Sequence, residues 1–159
     1  MEIYLLRHGI AEDRAPSGRD ADRRLTEEGR AKLRRVLERA HSAGVSPSLI
    51  LSSPYKRALE TAEIAAHELG YGGRIVRVGS LAPDASPPQV WNEIRQHRSE
   101  SSILLAGHEP LFSATVAFLL GSTHAMVNFR KGALVRIDVE NLGESPTGVL
   151  QWMITAKIS

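Results

Sequence analysis

The sequence predicts a three-layer α/β/α fold with a mostly parallel sheet and a C-terminal antiparallel hairpin at the sheet edge. Three observations carry that reading. Short apolar runs at Ile3–Leu6, Leu49–Leu51, Ile75–Val78 and Ile103–Ala106 have the length and continuity of strands buried on both faces. Segments of helical periodicity separate them, as the crossovers between parallel strands require. The last third then changes character. Ala133–Val139 and Val149–Ile154 alternate apolar with polar residues, and a linker with Gly143, Pro146 and Gly148 joins them.

The bounds agree with this class. A chain of 159 residues suits one domain, 1–159, and can bury a real core. Hydrophobic residues make up 42% and charged residues 24%, as in an average soluble protein. A net charge of +2 gives no reason to expect nucleic acid. The absence of cysteine excludes disulfides and thiolate metal sites. Arg7 and His8 interrupt the first apolar run, so it does not read as a signal peptide, and no stretch has the length of a membrane span. The expected compartment is the cytoplasm. Nothing in the composition speaks to oligomeric state.

The elements follow in order. After the first strand, residues 10–24 lack periodicity, contain Pro16 and Gly18, and read as a mobile surface loop that could fold over the strand end. Thr26 is the expected N-cap of helix one, with Glu27 and Glu28 placed to suit its dipole. Leu33, Val36, Leu37 and Ala40 form its apolar stripe, and Gly44 ends it. Helix two is expected to take Ser53 as N-cap and Pro54 as its first residue, with Ala58, Ala62, Ala65, Ala66 and Leu69 inward. Helix three spans about Pro87 to Arg98, with Val90, Trp91 and Ile94 inward. Helix four opens near Pro110 and is apolar nearly all round, which predicts deep burial.

Chemistry gathers where the strands end. Arg7-His8-Gly9 follows the first strand, Ser52-Ser53-Pro54 the second, and Gly107-His108-Glu109-Pro110 the fourth. Ligands in such sheets bind beyond the carboxyl ends of the strands. Gly9 is expected to leave room for a ligand. Arg57 and Thr61 share one face of helix two near the same end. A phosphoryl group placed there would meet two guanidinium forks and the free N–H groups opening helix four. An imidazole is a competent nucleophile if its pKa stays at or below about 6.5, and neighbouring arginines would hold it down. Residue types alone leave open which histidine attacks. Neither histidine has a partner at metal-ligand spacing, so no metal is expected.

The pieces Leu6-Arg7-His8-Gly9, Ser52-Ser53-Pro54-Tyr55-Lys56-Arg57-Ala58 with Thr61-Ala62, and Gly107-His108 resemble the histidine phosphatase superfamily, of phosphoglycerate-mutase-like fold. The short length, Leu25-Thr26-x-x-Gly29 and Gly107-His108-Glu109-Pro110 are most similar to its SixA-type phosphohistidine phosphatases. The resemblance implies that His8 carries a transient phosphoryl group. It implies that His108 hydrogen-bonds that group, and that Arg7 and Arg57 clamp its oxygens. Glu109 would add its backbone N–H. The general acid would be Glu109 or Asp84, ahead of Glu12 and Asp13 on the loop. The implied activity is metal-independent phosphatase action without cofactor, on a phosphohistidine-bearing protein. The alternatives are a small-molecule phosphomonoesterase of the same superfamily and a non-catalytic phosphate-binding module.

Overall fold

The computed structural model describes residues 1–157. Six strands form one sheet in the order β3-β2-β4-β1-β5-β6: β1 Glu2–Arg7, β2 Leu49–Ser52, β3 Ile75–Arg77, β4 Ser102–Gly107, β5 Leu134–Asp138 and β6 Val149–Ile154. The first four are mutually parallel. β5 runs antiparallel to β1, and β6 antiparallel to β5. The expected C-terminal hairpin therefore lies at one edge. Among the described residues, no helix is long and apolar enough to cross a membrane.

Alternation along the strands builds the three layers. Ile3 and Leu5 of β1 face a core shared with α3 (Pro87–Gln96) and α4 (Leu111–Leu119), including Trp91, Ile94, Phe112 and Val116. Tyr4 and Leu6 face the opposite core, with Leu33, Val36 and Leu37 of α1 (Glu27–Ser42) and Ala62 and Ala65 of α2 (Lys56–Glu68). Each large aliphatic side chain so buried contributes about 1.5–3 kcal/mol of transfer free energy. A one-residue slip of β1 would exchange its two faces.

The helix ends show why these residues stop and start where they do. Thr26 caps α1, its Oγ1 accepting from Gly29 N at 3.0 Å. Gly44 follows that helix at φ +85°, a conformation that disfavours any side chain. Helix α2 starts later than the Ser53-Pro54 signal predicts, at Lys56, with Tyr55 as N-cap. The reason is the sheet: Ser53 N–H still donates to Ala106 O at 3.0 Å, so the chain has not yet left the strand ladder. Helix α4 is not buried all round. Leu111, Phe112, Thr115, Val116 and Leu119 are buried, but Ala114 is exposed and Phe118 half-buried. Their side faces a groove shared with Pro87, Pro88 and Met126.

The register sets the site. Arg7 pairs with Gly107 and Ser52 with Ala106, so β1, β2 and β4 end level with one another. His8, Ser53 and His108 thus leave the sheet side by side, although they lie far apart in sequence.

Candidate active site

Close packing behind the strand ends fixes their direction. Gly9 does not leave room for a ligand, as its sequence context suggests. A Cβ there would collide with Leu33 of α1, so the missing side chain admits the helix. Gly107 does the same for the Phe112 ring. Gly9 N–H donates to Thr61 Oγ1 at 3.2 Å, and Thr61 Oγ1 donates to Arg57 O at 2.7 Å. This links the turn after β1 to the first turns of α2.

His8 is buried, and each ring nitrogen has a defined neighbour. Nδ1 lies 2.7 Å from Gly9 O. A carbonyl can only accept, so Nδ1 carries the proton. Nε2 then holds a lone pair, and Arg57 Nε–H donates to it at 3.3 Å. The pKa of His8 is lowered to about 4, with burial as the main cause; the Gly9 bond opposes it, and Arg57, Arg7 and Lys131 add repulsion. Burial therefore outweighs the like-charge repulsion that the arginine-rich sequence emphasises. The imidazole is neutral at pH 7, with its Nε2 lone pair turned towards Arg57.

His108 is held differently. Its Nε2 lies 2.8 Å from Ser53 Oγ, and its buried Nδ1 has no partner among the described residues. Its pKa is lowered to about 3, by burial first and then by His8 and Arg57. The two histidine rings sit 5.2 Å apart, and Tyr55 stands edge-on to His108 at 5.3 Å. Ser53 is thus a partner of the second histidine rather than the N-cap of α2. Its hydroxyl, which can donate or accept, leaves both His108 tautomers possible.

The two arginines complete the cluster. Arg57 is buried at the start of α2. Arg7 is half-buried and donates from Nη1 to Phe129 O at 2.7 Å. Among the described residues Arg7 Nε, like His108 Nδ1, is buried without a hydrogen-bond partner. Two buried donor-capable nitrogens beside a neutral imidazole suit an oxyanion, since burying such groups unpaired costs about 1–3 kcal/mol each.

The loop from Ile10 to Arg24 folds over the strand end, as its point of departure allows. Ala11 bridges to Leu25, Glu12 N–H donates to Arg24 O, and Arg23 Nε donates to Glu12 O. These contacts brace a short 3-10 turn, Asp20–Asp22, against the site. Asp20 receives both ends of the Arg57 fork. Nη1 donates to its backbone oxygen at 2.9 Å and Nη2 to its carboxylate at 3.1 Å. Arg23 and Arg57 hold the Asp20 carboxyl below its ordinary range. Nothing in the local pattern of Asp20 distinguishes it from its acidic neighbours, so sequence reasoning missed it.

The structure brings His8, His108, Arg7 and Arg57 together. The other acids are less central. Glu109 lies close enough to Arg7 to act on it electrostatically, but its carboxylate accepts from Ser113 N–H at 2.6 Å and so caps α4. Asp84 is exposed in the loop before α3 and bonds to none of the four. Glu12 is taken by the backbone of Arg24, and Asp13 is exposed. Among the described residues, no group of three His, Asp or Glu side chains is arranged to hold a metal ion.

Comparison with known proteins matches this arrangement to a family. Residues 3–78, which include His8 and Arg57, match the histidine phosphatase superfamily (branch 1). The chain belongs to the histidine phosphatase superfamily. It is 37% identical over 139 residues to an uncharacterized protein of Picosynechococcus sp., covering 85% of this chain and 83% of the relative. Its fold is similar to that of the protein histidine phosphatase SixA complexed with tungstate, with TM-score 0.89, 24% identity and 99% of each chain covered. It is also similar to the Agrobacterium tumefaciens protein provisionally named phosphohistidine phosphatase SixA, with TM-score 0.81, 26% identity and 97% of each chain covered. The superfamily fold also serves small-molecule phosphatases. The alpha-ribazole phosphatase of Shigella flexneri shares it at TM-score 0.73 and 19% identity, over 98% of this chain and 97% of that one.

Proposed function

We propose that this superfamily member is a phosphatase acting on protein phosphohistidine through a phosphoryl group held transiently on His8 Nε2. The observation that carries the reading is the bond from His8 Nδ1–H to Gly9 O, which leaves Nε2 as a lone pair beside Arg57. Arg7 and Arg57 bind the phosphoryl oxygens, which compete with the Asp20 carboxylate for the Arg57 fork. His108 donates a further hydrogen bond, and Glu109 offers its backbone N–H. Nε2 attacks phosphorus as the bond to the leaving nitrogen breaks. Water then attacks the phosphorylated His8, releases inorganic phosphate and restores the Nε2 lone pair. Charge placed in advance does most of the work in such transfers.

The acids support this substrate class. Asp84 is exposed and bonds to none of the four cluster residues, the Glu109 carboxylate is engaged by Ser113 N–H, and the Asp20 carboxyl is held ionised by Arg23 and Arg57, so none of the three is poised as a proton donor. An imidazole leaving group needs less protonation than an alkoxide, which favours a phosphoramidate over an alkyl ester. The second reading, a small-molecule phosphomonoesterase, draws support from the same architecture in the alpha-ribazole phosphatase. The arginines supply the positive charge, so the reaction proceeds without metal, and strong chelators leave the rate unchanged. A divalent ion that restored activity after chelation would contradict this.

The central test is brief labelling with a phosphohistidine-bearing domain followed by quench. The expected label is stable to alkali, lost in acid and absent from His8→Ala. Acid-stable label, or label retained in that variant, refutes the assignment. Comparing kcat/KM for the phosphohistidine domain, an aryl phosphate and a sugar phosphate decides the substrate class. An equally efficient sugar phosphate would favour the second reading.

A further inference from the structure

A second recess adjoins the cluster through Arg7. It has a volume of about 600 Å³ and is lined by Arg7, Lys32, Arg130, Lys131 and Lys157, with no carboxylate in its wall among the described residues. The whole chain carries a net charge of only +2, so this concentration of cations is local rather than a reflection of composition. Lys32 is paired with Glu28 at 2.9 Å. Among the described residues, Arg130, Lys131 and Lys157 have no carboxylate within salt-bridge distance.

The wall is fastened to the strand that carries His8. Gly132, at φ +76°, donates its N–H to Arg7 O and His8 O, at 3.1 Å each. Ala133 N–H donates to Arg130 O at 3.0 Å, and Arg7 N–H to Ala133 O at 3.1 Å. Arg130 and Lys131 are therefore held on a backbone turn stapled to the end of β1. Cations gathered around one recess repel one another, and an anion would relieve the repulsion. Arg7 belongs to both places, and the charge of Lys131 is felt at His8.

Resting on the phosphatase reading above, we propose that this recess binds a second anionic group of the substrate, a carboxylate or phosphate, beside the phosphoryl group that reacts at His8. Specificity is then for doubly anionic substrates. Acidic side chains flanking a phosphohistidine, or a second phosphate on a small ester, present the same chemistry.

The test uses two matched pairs of substrates. One pair is a phosphohistidine peptide flanked by Asp and Glu, and the same peptide flanked by Ser. The other is an aryl monophosphate with and without a second phosphate on the ring. In at least one pair the acidic member should be favoured about tenfold in kcat/KM, through KM, and the preference should fade as salt rises. The pair that shows it identifies the source. The double variant Arg130→Gln, Lys157→Gln should lose the preference while turnover of the plain aryl monophosphate stays unchanged. The charge-preserving pair Arg130→Lys, Lys157→Arg should retain it. Absence of any preference, its survival in the neutral variant, or its loss in the charge-preserving one overturns the proposal. Calorimetric binding of the same four compounds to His8→Ala, with and without the two glutamines, reads the recess without turnover. If no phosphate is hydrolysed at all, the phosphatase reading fails, and the binding comparison still decides the subsite.

Discussion

The two histidines end neighbouring parallel strands, each beside a glycine, yet they are held in opposite ways. His8 is pinned by a backbone carbonyl on Nδ1, an acceptor that cannot donate. His108 is pinned by the Ser53 hydroxyl on Nε2, which can do either. The first arrangement commits His8 to one tautomer and leaves the Nε2 lone pair facing Arg57. The second leaves His108 able to donate from either nitrogen. A nucleophile needs the first property, and a partner that follows changing charge on a phosphoryl group gains from the second. Similar sequence surroundings, strand then Gly-His or His-Gly, thus produce differently anchored rings.

The sharpest way to break this comparison is to remove each ring. His8→Ala should abolish the phosphoenzyme and lower kcat by about 10⁴-fold or more. His108→Ala should slow turnover while still allowing label to accumulate on His8. Label that persists without His8 but vanishes without His108 would reverse the roles.

The next effect tests what both share, resistance to protonation. Their folded pKa values, about 4 and about 3, lie below the ordinary 6.5. The unfolded chain therefore binds more protons between those limits, and stability falls as pH drops from about 6.5 towards 4. The loss from the two groups together should be about 5 kcal/mol, roughly 2.5 kcal/mol each, by urea unfolding at pH 7 and pH 4.5. The double variant His8→Asn, His108→Asn should flatten the profile, and an unchanged slope would mean that other groups cause it. The neutral form of His8 persists above about pH 4, so its own titration should leave kcat/KM level from pH 5 to 7.

Arg57 separates the neighbour that serves His8 from one that does not. Arg57→Ala should cost about 2–3 kcal/mol in kcat/KM, the loss of charge-assisted contacts to phosphate. Lys56→Ala, one residue away and turned by roughly 100° on the helix, should have little effect. Equal losses would contradict the placement of α2. Smallest of the set, Ser53→Ala should reduce kcat several-fold, about 1 kcal/mol, by freeing the His108 ring. A threonine there should restore the rate if the hydroxyl is what matters.

Much of this was legible because it depends on local pattern. Apolar runs located the parallel strands, alternation located the hairpin, and the residues at strand ends located His8, His108 and Arg7. Arg57 was legible because it falls early in a helix that follows such a strand. Other features depend on partners that no local pattern reveals. Asp20 meets Arg57 across 37 positions, and Ser53 meets His108 across 55. The proline signal placed the start of α2 too early because a hydrogen bond from β4 overrides it. Gly9 was misread for a related reason: whether a missing side chain admits a ligand or a helix depends on what packs behind it. The open side of α4 was hidden because hydrophobicity reports a preference for burial, and not whether a neighbour is there to provide it.

The sheet order also bears on how the molecule comes to exist. β1, the first of the described strands to be synthesised, lies between β4 and β5, which follow it by about 100 and 130 residues. Until those segments leave the ribosome, Ile3 to Leu6 have no strand to pair with, and His8 has no cluster to join. At roughly 5–20 residues per second, β1 waits for several seconds as an unpaired apolar edge. Closing so long a loop is slow for a chain of this size, and the waiting edge is the part most open to association with other chains. Enzymatic activity in a refolding mixture would therefore report one late event, the insertion of β1 between its neighbours.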